Sequence, residues 1–178
     1  MTPHWQRRLT LVAVLGLAYW FFGNLYEAVV FSPNWVTDTP TQMTRLNEFF
    51  VNTSPTLYFI PLTVIPVALA WALPVFNRDP ALRADYRRAG LVALLLTALN
   101  ALIVATVVTR LFGAQDVADP HRLTGYAWSW NLLNVLRMAL TATTGVLLFG
   151  AYRKLDRRLA GSDARGLGGG EQVDRGLA

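Results

Sequence analysis

The sequence predicts an all-α fold: a polytopic membrane protein built as a four-transmembrane-helix bundle with a short amphipathic outer helix. Three observations lead there. Hydrophobic residues make up 53% of the 178 positions, more than one soluble domain of that length needs. They are gathered into four runs, at about 9–31, 56–76, 89–112 and 128–152. At ~1.5 Å per residue each run is long enough to cross a hydrocarbon layer ~30 Å thick. The runs also carry almost no charge on any face, whereas a soluble amphipathic helix keeps one charged side.

The charges that remain are sorted by loop. Arg7 and Arg8 precede the first run, Arg78, Arg83, Arg87 and Arg88 separate the second from the third, and Arg153, Lys154, Arg157 and Arg158 follow the fourth. The other two loops are near neutral, with Asp38, Arg45 and Glu48 in one and Asp116, Asp119, His121 and Arg122 in the other. The positive-inside bias therefore places both termini in the cytoplasm of a multi-pass cell-membrane protein. It also reads the net charge of +5 as a topology signal, with no nucleic-acid partner. Absence of cysteine excludes disulfide and thiolate chemistry. The first run is too long for a signal peptide and lacks a small-x-small cleavage site, so it is read as a retained span.

Along the first span, Trp20, Asn24, Glu27 and Phe31 recur at steps of four, three and four, which places them on one helical face. Gly16 and Gly23 flank that face and let another helix approach closely. Glu27 is the one carboxylate within the four runs. With the span ending near Ser32 and Pro33, Glu27 sits ~7 Å and Asn24 ~12 Å below the outer end. Next, Thr39 is expected as an N-cap, with Pro40 at the first helical position and Gln42 closing a capping box. A short helix from about 40 to 51 follows, its apolar face made by Met43, Leu46, Phe49 and Phe50, lying on the outer surface or capping the bundle.

The second span holds Pro61, Pro66 and Pro74, each of which removes a backbone donor and is expected to bend or loosen the helix. In the third, Thr97 and Asn100 share a face with Ala93 and Val104, and Ala101 with Ala105 forms a small-residue pair suited to helix packing. The tail from 159 to 178 is rich in glycine and polar residues and is expected to be disordered in the cytoplasm, leaving 1–158 as the membrane domain.

The fourth span carries the chemistry. Trp130, Asn134, Arg137, Thr141 and Thr144 recur at steps of four, three, four and three, forming one polar stripe. An arginine at mid-bilayer costs ~3 kcal/mol on insertion scales and normally faces a bundle interior or a wet cavity. Arg137, ~14 Å below the outer start of its span, must have a partner, and long side chains bridge the difference in depth to Glu27. Helices one and four are therefore expected to meet through their polar sides. Asp116, Asp119 and His121 are a poor metal set, because the remaining histidine, His4, lies across the membrane. Neither a metal nor a cofactor is expected, and phosphate-loop, nucleotide-fingerprint and nucleophile-elbow motifs are absent.

Three short patterns resemble the anthrone-oxygenase-like family of small four-span membrane proteins. They are Gly23 followed by Pro33, the Leu46-Asn47 pair, and Trp130 with Asn134, Arg137, Ala139 and Ala142 in the fourth span. The resemblance covers most of the chain outside the tail and implies a four-span fold with oxygenase chemistry on a lipophilic substrate. The chain departs from it at Val135, where a histidine is common, and at Val108, Thr109 and Arg110, where an Asn-Pro-like element is common.

Two readings of these residues stand side by side. In the first, the polar site in the outer half of the bilayer binds or transforms a lipophilic small molecule. Glu27 moves a proton and Arg137 holds an oxyanion, while Asn24, Asn100 and Asn134 orient the substrate between Trp20 and Trp130. In the second, the same residues are a structural network in a non-catalytic membrane partner or scaffold. A permease, the third class, needs more than four spans and hence an oligomer. Membrane lipids are partners in every case.

Overall fold

The computed structural model describes residues 1–53, 55–77, 79–112 and 119–170, with the side chains of Thr56 and of 163–170 left aside. Among these residues the fold is entirely helical. Helix α1 (Pro3–Tyr26) passes through a π turn (Glu27–Phe31) into α2 (Ser32–Trp35), and α3 (Thr39–Phe49) and α4 (Pro55–Phe76) follow. Helix α5 (Pro80–Ile103) continues through a second π turn (Val104–Val108) into α6 (Thr109–Leu111), and α7 (Pro120–Gly170) closes the chain. Four stretches are long and apolar enough to cross a membrane: Pro3–Trp35, Leu57–Phe76, Pro80–Leu111 and Pro120–Ser162.

Packing follows the chain. Helix α1 lies against α4 and α7, and α5 lies against the same two, so the four spans form a ring in sequence order. Two apolar clusters fill it. The proximal one, at the end bearing the chain's N-terminus, includes Ala13, Leu17, Trp20, Ala70, Leu73, Ala93, Leu96 and Leu148. The distal one gathers Trp35, Met43, Ile103, Leu111, Leu123 and Trp130. Side chains facing outward are largely apolar too, as at Leu15, Phe22, Val64, Leu91, Leu132 and Val146. A surface of that kind belongs in lipid.

Close approach of α1 and α4 rests on Gly16 and Gly23. A Cβ on Gly16 would lie 3.1 Å from Pro66 Cβ, and one on Gly23 would lie 3.0 Å from ring atoms of Tyr58 and Phe59. Helix α4 runs unbroken through Pro61, Pro66 and Pro74, and the buried Pro66 ring is the surface that Gly16 receives.

Five local expectations are corrected. The first span does not stop at Ser32 and Pro33. The Ser32 N–H reaches back to the Glu27 carbonyl, and Pro33 falls in the first turn of α2, where a missing donor is harmless. The cap of α3 is Asp38, in a left-handed conformation (φ 54°), with no side-chain capping bond; Thr39 and Gln42 form no capping box. Met43 and Leu46 pack into the distal cluster, so α3 caps the bundle, but Phe49 is 76% exposed. Ala101 and Ala105 face outward, and Leu96, Ile103 and Val107 make the inner face instead.

Finally, the chain does not leave the helix after Leu159. Helix α7 continues to Gly170, because Leu155 and Leu159 extend its apolar stripe onto Leu82 while Arg158 pairs with Asp79, Lys154 with Asp85 (2.6 Å) and Arg7 with Asp156 (2.9 Å). Residues 171–178 and Asp116 lie outside the described residues.

Thr39 is fully buried, and its hydroxyl has no hydrogen-bond partner among the described residues. Thr39→Val should therefore leave folding stability unchanged or raise it by up to ~1 kcal/mol, read as an unchanged or higher thermal midpoint, since the replacement strands no partner. A loss above that size in a thermal melt would show a hydroxyl that is bonded after all.

Candidate functional site

Between the two apolar clusters lies one polar layer. Asn24 follows Trp20 on α1, Asn100 follows Leu96 on α5, and Arg137 stands between Trp130 and Leu148 on α7, so each helix contributes at the junction of the clusters. Arg137 is 8% exposed. Its Nε donates to Asn134 Oδ1 at 3.1 Å, and Nη2 donates to the same oxygen at 2.7 Å and to Asn24 Oδ1. Nη1 donates to Asn100 Oδ1 at 3.2 Å. The Trp130 ring lies 5.8 Å from the guanidinium carbon, in cation–π range.

The asparagines are themselves fixed. Asn134 Nδ2 donates to the Asn24 backbone carbonyl at 3.3 Å, and Asn24 Nδ2 donates to the Trp20 carbonyl at 2.8 Å. These bonds set which end of each amide faces the arginine. Thr141 and Thr144 turn back to carbonyls of their own helix, at Arg137 and Leu140, both at 2.8 Å. Three of the four spans thus meet at one guanidinium, and among the described residues α4 gives it no hydrogen bond.

The first and fourth spans, α1 and α7, do meet through their polar sides, but through Asn24. The ion pairs among the described residues join Arg7–Asp156, Arg122–Asp119, Lys154–Asp85 and Arg158–Asp79, and none includes Glu27. Glu27 opens the π turn, half-buried, near enough to Arg137 for the two charges to attract without touching. Trp20 and Trp130 are packed in the two clusters, 1% and 3% exposed, and are not walls of an open pocket. The cage therefore supplies neutral acceptors to a cation.

Sequence reasoning missed the bond from Ser32 to Asn131, which ties α2 to α7 one turn beyond the cage. Its signal was Asn131, three residues before Asn134. It also missed the buried Thr10–Tyr86 hydroxyl pair, 2.8 Å apart, joining α1 to α5 at the proximal end. His121 is exposed, with its backbone N–H on Asp119 Oδ1 at 3.0 Å. Two cavities, of about 300 and 410 Å³, open at the proximal end, and none of Glu27, Asn24, Asn100, Asn134 or Arg137 lines either. No family model matches the chain, and neither a curated protein nor a solved structure is similar enough to match it.

Proposed function

We propose that this chain is a multi-pass cell-membrane protein, both termini cytoplasmic, that works as a non-catalytic partner or assembly component, with the Arg137 cage as its structural clamp. The observation that carries this reading is the closure of the cage: four hydrogen bonds to three asparagines occupy the guanidinium. Of its five N–H groups only one, on Nη1, is left over, so an oxyanion held at Arg137 by two hydrogen bonds would first have to displace an asparagine. The outward pair Ala101 and Ala105 gives the end of α5 and the π turn after it a shallow face on which a partner helix can pack. A photoreactive residue at Ala105, illuminated in cells, should give an adduct with another membrane protein, while the same group at Leu91 should not. Adducts with lipid alone at Ala105 would remove the partner reading.

One observation favours the second reading, an anthrone-oxygenase-like or acid–base enzyme on a lipophilic substrate. Glu27 is a half-buried carboxylate with no hydrogen bond among the described residues, within electrostatic reach of Tyr58, whose ring lies 5.9 Å from that of Tyr19. Glu27→Gln separates the two. The clamp reading expects a change in folding stability of less than ~1 kcal/mol, because no bonded partner is lost. The enzyme reading expects the same folded yield with complete loss of conversion of a lipophilic phenol by membranes carrying the wild-type chain.

A further inference from the structure

The two proximal cavities share walls. In the smaller, Gln6, Asn77, Asp79 and Arg158 stand among apolar walls that include Leu82, Leu155 and Leu159, and the larger, which shares Met1 and Phe76 with it, is apolar, with Leu9, Leu69 and Ala72 on its sides. A chamber with one polar face, bounded by α1, α5, α7 and the end of α4, therefore opens beside a greasy slot between α1 and α4.

The chamber's carboxylate, Asp79, is engaged by Arg158 and by the backbone N–H groups of Ala81 and Leu82. Gln6 and Asn77 are 6% and 5% exposed; Asn77 Nδ2 has no hydrogen-bond partner among the described residues, and Gln6 Nε2 makes no well-formed bond there, with the Tyr86 hydroxyl its neighbour. The orientation of Asn77 is fixed, because its Oδ1 accepts the Asp79 backbone N–H at 3.0 Å, which leaves the nitrogen as the free end. Buried donors without acceptors are rare in folded proteins and call for an explanation. Arg158 stands at the same chamber, half-exposed, paired with Asp79 through one of its nitrogens. Two amide donors and a guanidinium suit a group made only of acceptors, and a phosphate diester is such a group.

We infer that the paired cavities hold one glycerophospholipid. Its phosphate accepts from Gln6, Asn77 and Arg158, and an acyl chain occupies the slot beside Leu9, Leu69 and Ala72. The occupant is a lipid because chamber and slot form one amphipathic shape and the slot opens on spans of membrane length. The same end carries Arg7, Arg8, Arg83, Arg87, Arg88, Arg153 and Arg157, which draw lipid phosphates to it. This site is independent of the Arg137 clamp and of any partner on α5.

The full chain, purified in detergent and stripped of lipid, is offered dioleoylphosphatidylglycerol, dioleoylglycerol or glycerol 3-phosphate and examined by native mass spectrometry. The phospholipid should be retained at least ten times better than the diacylglycerol, which lacks the phosphate, and glycerol 3-phosphate should not bind at equal concentration. Gln6→Leu with Asn77→Leu should lose retention tenfold or more. Ala72→Trp, which fills the slot and leaves both donors intact, should do the same, and it carries the test if the double variant does not fold. Equal retention of phospholipid and diacylglycerol would overturn the inference, as would undiminished retention by Ala72→Trp or binding of glycerol 3-phosphate as tightly as the lipid.

Discussion

Replacing Arg137 with leucine should lower the stability of the folded bundle by about 2–6 kcal/mol, because each of the two fully buried acceptors left without a donor, at Asn24 and Asn134, costs ~1–3 kcal/mol. The substitution strands Asn24 Oδ1, Asn100 Oδ1 and Asn134 Oδ1 together. The amide nitrogens of Asn24 and Asn134 keep their backbone acceptors, so the penalty falls on the oxygens. Arg137→Lys should lose less, ~1–3 kcal/mol, since one ammonium retains part of what a planar fork with five donors satisfies. Steric trapping in lipid nanodiscs gives the free energies directly. A quadruple replacement, leucine at 24, 100, 134 and 137, should recover most of the loss, because it leaves no acceptor stranded. If the single variant loses under ~1 kcal/mol, the cage is not a clamp.

Gly16→Leu should be the next most damaging change, at several kcal/mol, by forcing α1 away from α4. The first added atom would already sit 3.1 Å from Pro66 Cβ, and a pyrrolidine ring in mid-helix cannot swing aside. Gly16→Ala alone should cost ~1–3 kcal/mol by the same overpacking, and Pro66→Ala in the same chain should return part of it. Gly23→Ala should cost less, although its contact is nominally as close. The atoms it meets are ring ends of Tyr58 and Phe59, and Tyr58 is 43% exposed and free to turn. Thermal unfolding of the three variants in one detergent should rank them in that order, and a Gly16→Leu chain with an unchanged midpoint would show that the spans are not pressed together there.

The spans were legible because a chain that puts apolar residues on every side of a helix leaves few alternatives to lipid. The stripe of α7 was equally plain: Trp130, Asn134, Arg137, Thr141 and Thr144 are all buried, as an unbroken 3.6-residue period requires. On α1 the same rule held for Trp20 and Asn24 and then failed. A π turn begins at Glu27 and adds a residue, so the next fully buried position is Ser32 and not Phe31. That offset leaves Glu27 half-exposed and gives the arginine to Asn24. No residue type announces such a widening, and the second π turn, Val104–Val108, was equally invisible among β-branched residues.

The extra length of α7 escaped for another reason. Gly161 and the glycines from 166 onward argue locally for a coil, but the ion pairs and leucines that hold the helix through Ser162 come from α1 and α5, far away in sequence. The cavity donors could not be foreseen either, because Gln6 and Asn77 lie at span ends, where polar residues normally meet water.

The composition of the cage also sets an order for biosynthesis. Asn24 and Asn100 are made long before the residue they serve, since 113 positions separate Asn24 from Arg137. Until the last span leaves the insertion machinery its cation has only Asn134 and the Trp130 ring from its own helix for company, so that segment alone should partition poorly into lipid. The earlier helices must already be gathered at the exit to receive it, and a chain truncated before residue 120 and released would leave a three-helix intermediate holding two carboxamides with no cation between them.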